Sequence, residues 1–324
     1  MQWTELKARI LASGGAKLEG APADEFIAKS TAGPGAGGIG AVFFREGNHR
    51  VKLAVNPNAG STLVHLGSGK ARLIFEGQEY SGELDLVGHH CPRQAFITVS
   101  SGCIFHCRYC PVPSQRERRR KPVDEIVAMV EPVLDRVDAI SLTSGVLDTI
   151  EEEEHYVLEV VAALRRFDLP IGVTIYPLPE TPSRLYALGV AEVKFNVEAA
   201  TPVLFGEMCP GLDRQAILGA LDHSILLFGK NHVFSNVLIG LGETDEEMKT
   251  CIRDLTGMGV IPELRPLNPA AGLKDYPRPS AERLLRLHTF LSQELDAAGL
   301  DPRQAQTMCT ACQGCDLIHL RDDA

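Results

Sequence analysis

From about residue 95 onward the chain repeats one pattern six times: a short β-rich run, apolar on both faces, then a longer helical stretch. The runs cover 95–100, 139–143, 171–175, 192–197, 232–239 and 261–266. Parallel strands covered by helices read this way. Helices are expected at 123–137, 151–167, 183–188, 214–228 and 244–258, with a last one at 280–298. Pro122 precedes the first, Glu151 to Glu154 put negative charge on the first turn of the second, and Ser280 can cap the last. Six successive βα units imply an α/β fold, a parallel sheet curling into a partial (β/α)6 barrel over 95–299. In such barrels the chemistry sits at the C-terminal ends of the strands.

Residues 1–94 read as a small β-rich module. A helix over 3–11 is followed by the glycine-rich stretch Gly33–Gly40, then strands around 42–44, 50–55, 62–66, 72–75 and 84–87. Glu46-Gly47-Asn48, Asn56-Pro57-Asn58 and Glu76-Gly77 supply turns. The glycine-rich stretch lacks the Gly-Lys-Ser/Thr of a P-loop and reads as a flexible or tight-turning loop. With 44% hydrophobic residues the chain is globular, and without a run of about 18 apolar residues nothing is expected to span a membrane. The N-terminus shows no secretory pattern, so a cytoplasmic protein is expected. Its 32 basic residues stand against 42 acidic ones, a net charge of −10, which speaks against a nucleic-acid surface. The one basic run, Arg116, Arg118, Arg119, Arg120 and Lys121, reads as a solvated edge before a docking surface for an acidic partner, and as an RNA site last.

Nine cysteines in a chain expected to stay reduced point to metal before disulfides. Cys103, Cys107 and Cys110 directly follow the first barrel run; Cys309, Cys312 and Cys315 form a C-terminal cysteine-rich extension at 300–324. Cys209 and Cys251 read as small apolar residues. Three thiolates from one loop can hold a [4Fe–4S] cube and leave one iron open. A structural zinc would need a fourth ligand, His106 or a distant residue.

The motif Cys103-x3-Cys107-x2-Cys110, with Tyr109 before its third cysteine, opens a six-unit βα barrel and resembles the radical S-adenosylmethionine superfamily. The resemblance implies S-adenosylmethionine bound at the open iron, one-electron cleavage of its sulfonium, and hydrogen abstraction by the resulting 5′-deoxyadenosyl radical. It also implies a cofactor site. Thr143, Ser144 and Gly145 end the second strand where the family faces the methionine amino group, although the family pattern there is Gly-Gly-Glu. Asn196 and Glu198 resemble the pair that reaches the ribose, the plainer reading being a strand-end hydrogen-bond network. Gly240 and Gly242 lie in a segment similar to the adenine-side loop of biotin and lipoyl synthases, with Thr244 or Asp245 capping the next helix. Tyr109 and Arg265 complete the implied cofactor set.

The second triplet is expected to hold a second [4Fe–4S] cluster, with zinc as the alternative. In biotin and lipoyl synthases an auxiliary cluster donates sulfide to a substrate radical. Biotin synthase draws its auxiliary cysteines from barrel strands, and ordinary lipoyl synthases from an N-terminal segment. Here the strands at 139–143, 171–175 and 192–197 carry none, nor do residues 1–90. The layout resembles the two-protein lipoyl synthases of archaea and some bacteria. That implies sulfur insertion into an octanoyl chain on a lysyl carrier, a sister radical protein, and an electron donor such as ferredoxin or flavodoxin. A different substrate (a biotin-type precursor, a peptide or another cofactor precursor) and a non-catalytic electron-transfer subunit are the alternatives. Arg265 and Cys91 are candidates for the fourth ligand of the second cluster. His89-His90-Cys91-Pro92 reads as a lead-in loop, because adjacent histidines on an extended chain point oppositely.

Overall fold

The computed structural model describes residues 2–29, 40–114 and 118–323; most of the glycine-rich stretch (33–39) and Arg116 of the basic run lie outside them. Helix α1 (Trp3–Ser13) turns Trp3, Leu6 and Ile10 to one face and stops at Gly14 in the left-handed region. That face packs on a six-stranded sheet through Phe44, Leu53, Leu63 and Leu73. Its strands are β1 (Lys17–Gly20), β2 (Ala41–Glu46), β3 (His49–Ala54), β4 (Thr62–Gly67), β5 (Lys70–Phe75) and β6 (Gln78–Leu84), in the order β1-β4-β5-β6-β2-β3. All pairs are antiparallel except β1 with β4. Strands β2 to β5 match the expected ones. The strand expected at 84–87 lies earlier, as β6, and β1 was not expected; both are largely exposed and carry no apolar alternation to read.

The second sheet begins with β7 (His90–Cys91), antiparallel to β8 (Gln94–Thr98). Beyond it β9 (Ser100–Ser101) and β10 (Arg119–Arg120) pair across the base of the loop that carries the first cysteine motif. Then β11 (Ala139–Thr143), β12 (Ile171–Thr174), β13 (Glu192–Lys194), β14 (Val233–Ile239) and β15 (Ile261–Pro266) add in strictly sequential, parallel order after β8. These are the six expected runs, and they form a partial (β/α)6 barrel.

Helices α2 (Val123–Val130), α3 (Ile150–Leu164), α4 (Thr181–Ala187), α5 (Pro202–Met208), α6 (Arg214–Phe228), α7 (Asp245–Met258) and α8 (Ala281–Ala298) alternate with the strands. The helix expected over 123–137 changes to a 3-10 turn at Glu131–Arg136, because Pro132 cannot donate the next α-helical hydrogen bond. Thr149 caps α3 above three glutamates, Ser280 caps α8, and Thr244 with Glu247 forms a reciprocal capping box on α7. The seven residues of α5 are too few for a periodic signal, although Thr201-Pro202 is a start signal in hindsight.

The concave side of the half-barrel is filled by the C-terminal segment, which includes α9 (Met308–Cys312). Its backbone is received by polar side chains from the N-terminal halves of the strands. Thr307 donates its N–H to Glu192 at 2.8 Å, Met308 donates to Ser141 Oγ at 2.9 Å, and Thr310 donates to Glu263 at 3.1 Å. Gln94 Nε2 donates to the Met308 carbonyl at 2.8 Å. Gly172 leaves room for the segment: a Cβ there would stand 2.1 Å from Thr307 Oγ1. The segment is held from below by an ion pair with no exposed side-chain surface, Lys7 to Asp322 at 2.7 Å, on which Trp3 Nε1 and the Ile318 N–H also converge.

Candidate active site

The first cysteine loop leaves the C-terminal end of β8 and lies against the end of β11. Ile104 donates its N–H to the Val146 carbonyl at 2.7 Å, and Gly145 donates to Ser100 at 3.2 Å. A Cβ on Gly145 would stand 2.0 Å from the Gly102 carbonyl oxygen and 3.3 Å from Cys103 Cβ, so the close approach needs glycine here. Ser144 accepts from the Ser100 N–H at 3.0 Å and donates to Glu153 at 2.5 Å. Its hydroxyl is therefore engaged in bracing the loop. Thr143 ends β11 in register with Thr98 and Thr174, which puts a row of threonines across the mouth.

Cys103, Cys107 and Cys110 are all free thiols and half-buried. Burial pushes Cys103 up and Cys110 up to about 12. Cys107 is instead held down, chiefly by a hydrogen bond from Cys209. Cys209, taken from the sequence as an inert apolar residue, thus stands beside the motif, with its thiol also 3.7 Å from the Tyr109 hydroxyl. Tyr109 is buried and faces Glu198. Burial raises Glu198 to about 7, against the opposing hydrogen bonds of Tyr109 and Asn196. Asn196 also accepts from the Asn236 N–H at 3.1 Å. Gly240 and Gly242, at φ of +108° and +120°, shape a loop whose N–H groups at 240 and 241 both donate to the buried Glu243 carboxylate, at 2.8 and 2.9 Å.

The second cysteine set is borne by the C-terminal segment, and Cys309 reaches the lumen. Lys194 on β13 and Glu263 on β15 form a buried ion pair at 3.0 Å, and Lys194 Nζ stands 3.5 Å from Cys309 Sγ. Arg265 belongs to this set, paired with Glu263 at 3.4 Å and Asp316 at 3.6 Å. It takes the role of a carboxylate partner. The cations hold Glu263 down at about 2, whereas burial outweighs Arg265 at Asp316 and pushes it up to about 6. His90 is driven down to about 3 by burial beside Lys52, Arg265 and Lys194, and packs its ring edge-on to Phe96. Lys194 and Glu263 were not picked out from the sequence, although a charged residue inside an apolar parallel strand is a readable signal.

Both sets suit iron–sulfur ligation. At the first, three half-buried thiols lie on one loop, Cys103 and Cys110 raised by burial and Cys107 lowered, and a cationic core would ionise them. At the second, Lys194 and Arg265 offer positive charge to thiolates. Among the described residues no three His, Cys, Asp or Glu side chains are gathered as ligands of a single metal ion. A cube binds each thiolate at a different iron and so takes them farther apart.

A sequential parallel half-barrel with unpaired cysteines at its mouth defines an α/β protein with a thiol-bearing site at the strand ends. Residues 97–255 match the family model described as Radical SAM superfamily, so this part of the chain is a radical SAM domain. It is 27% identical over 189 residues to a lipoyl synthase of Leptospira biflexa, covering 53% of this chain and 58% of the relative. It is 24% identical over 219 residues to a biotin synthase of Pseudescherichia vulneris, covering 63% and 60%. A tRNA-2-methylthio-N(6)-dimethylallyladenosine synthase of Marinomonas is also 24% identical, over 62% of this chain and 50% of the relative. The matches thus span between 50% and 60% of those relatives' lengths. The fold is similar to the FeFe-hydrogenase maturase HydG of Carboxydothermus hydrogenoformans (TM-score 0.53, 20% identity, 63% of this chain, 51% of that one). It is also similar to methylornithine synthase (TM-score 0.51, 17% identity, 68% and 75%). A radical SAM domain implies S-adenosylmethionine and one [4Fe–4S] cluster. No helix among the described residues is long and apolar enough to cross a membrane.

Proposed function

We propose that the chain is a radical S-adenosylmethionine sulfurtransferase that inserts sulfur into an octanoyl chain on a lysyl carrier, acting with a sister radical protein and a ferredoxin or flavodoxin. The observation that carries this reading is the entry of the segment bearing Cys309, Cys312 and Cys315, with Cys309 beside Lys194, into the lumen of the barrel that carries Cys103, Cys107 and Cys110 at its mouth. A set of thiols that served only to relay electrons would have no need of the barrel interior. Relatives named lipoyl synthase and biotin synthase support the same class of reaction.

In this reading Cys103, Cys107 and Cys110 hold the first cluster, and Cys309, Cys312 and Cys315 hold a second one. When bound, the first cluster and S-adenosylmethionine supply one-electron cleavage and hydrogen abstraction. Gly145 lets the end of β11 approach the loop, and Ser144 fixes it through Ser100 and Glu153. Glu198, poised near neutrality beside Tyr109 and Asn196, offers an acceptor to a ribose hydroxyl. Gly240 and Gly242 let backbone approach a flat ring. Lys194 and Arg265 stabilise thiolate charge at the second set.

The test is anaerobic reconstitution with an octanoyl-lysyl peptide, with and without the sister protein, read by mass spectrometry. Peptide carrying added sulfur is expected. Substituting Ala at Cys309, Cys312 and Cys315 together is expected to leave S-adenosylmethionine cleavage intact and to abolish sulfur in the product. Sulfur insertion by that triple variant overturns the donor role.

A further inference from the structure

We propose that Cys91 is the fourth thiolate of the second cluster, which makes that cluster fully ligated by cysteine. The inference rests on the reading of Cys309, Cys312 and Cys315 as a cluster site. Cys91 lies on the two-residue edge strand β7, more than two hundred positions from the triplet, yet it is buried against Cys312 in a small pocket with Ala28 and Phe43. Its thiol hydrogen-bonds to Cys312, and the short segment that bears Cys312 also carries Cys309 and Cys315.

Cys209 provides the contrast. It too is a buried thiol beside a cysteine motif, hydrogen-bonded to Cys107, but its sulfur also stands 3.7 Å from the Tyr109 hydroxyl.

The charges agree with closure. A cube held by four thiolates carries net negative charge, which a buried site must offset. Lys194, 3.5 Å from Cys309, and Arg265 are cations at the set, shared with the Glu263 and Asp316 carboxylates. Neither Arg265 nor His90 is then needed as a ligand. Arg265 is already bound to Glu263 and Asp316. Cys91 is the buried residue of β7, an edge strand of two residues, and from there it packs against Cys312.

The test uses the full chain with Cys103, Cys107 and Cys110 all changed to Ala, so that only the second site can load. After anaerobic reconstitution, iron and sulfide are counted per chain, and the cluster is followed by Mössbauer and electron paramagnetic resonance spectroscopy during mild oxidation. With Cys91 present, a four-iron cluster that resists oxidation and ignores added cyanide is expected. With Cys91→Ala, loss of one of the four irons to a three-iron cluster, and a spectral shift on adding cyanide, are expected. Cys91→Ser, which keeps the shape and can ligate through oxygen, is expected to restore four irons with a changed spectrum; far-ultraviolet circular dichroism of all three proteins checks folding. Identical iron counts and spectra with and without Cys91 overturn the proposal while leaving a second cluster standing. Zinc, or no metal, in the background protein overturns the second cluster itself.

Discussion

Glu263 is a buried carboxylate that accepts from Lys194, the Thr310 N–H and the Thr310 hydroxyl, the last at 2.6 Å. Removing its charge would strand Lys194, and breaking a buried pair in this way costs about 3–5 kcal/mol. Glu263→Gln is therefore expected to lower the free energy of urea unfolding by about that amount. The pH dependence has a definite sign. Glu263 is depressed from 4.5 to about 2, so the stability it confers is complete above pH 4.5 and is lost as pH falls toward 2. The substituted protein should show a flatter acid limb in that window. Gly145 makes a second prediction. Its missing Cβ is what lets Gly102 and Cys103 approach, so Gly145→Ala must displace the loop. Overpacking of this kind costs about 1–3 kcal/mol, and the iron bound at the first motif should fall by more than half, measured in a protein whose second triplet is changed to Ala.

Among the elements, the C-terminal segment behaves as a plug, and Gly172 is its socket. Gly172→Ala would place a methyl group 2.1 Å from Thr307 Oγ1 and 2.7 Å from Thr307 Cβ. The segment 305–316 is expected to lose protection from hydrogen exchange by tenfold or more, while β8 and β11 to β15 keep theirs. This division also marks what the sequence made legible. The six parallel strands could be read because each is a short apolar run followed by a capped helix. The first cysteine motif could be read because its ligands are contiguous. The second site could be read only in part: Cys309, Cys312 and Cys315 announce themselves by spacing, but Lys194, Glu263 and Cys91 join them from three remote segments through barrel closure alone. Two-residue strands such as β7 and β9 are shorter than any periodicity, so nothing local marked Cys91 as facing inward.

At the scale of the whole molecule, α1 ties both sheets to the plug. Ala8 packs into the barrel core while Leu6 and Ile10 pack on the six-stranded sheet. Between them Lys7 pairs with Asp322 and donates to the Gln313 carbonyl at 2.7 Å. Lys7→Met is expected to cost about 3 kcal/mol, seen as a lower urea midpoint, and to loosen the second cysteine set with it. The plug has one more consequence, in the order of synthesis. The last barrel strand ends at Pro266, whereas the plug's first hydrogen bonds to a barrel strand are at Gln306 and Thr307. At ~5–20 residues per second a ribosome exposes an open-bottomed half-barrel a few seconds before the piece that seals it. During that interval the mouth is already formed and the floor is still wet. Nascent chains stalled with the plug inside the exit tunnel are expected to take up iron at Cys103, Cys107 and Cys110 alone, and released chains to take up a second complement.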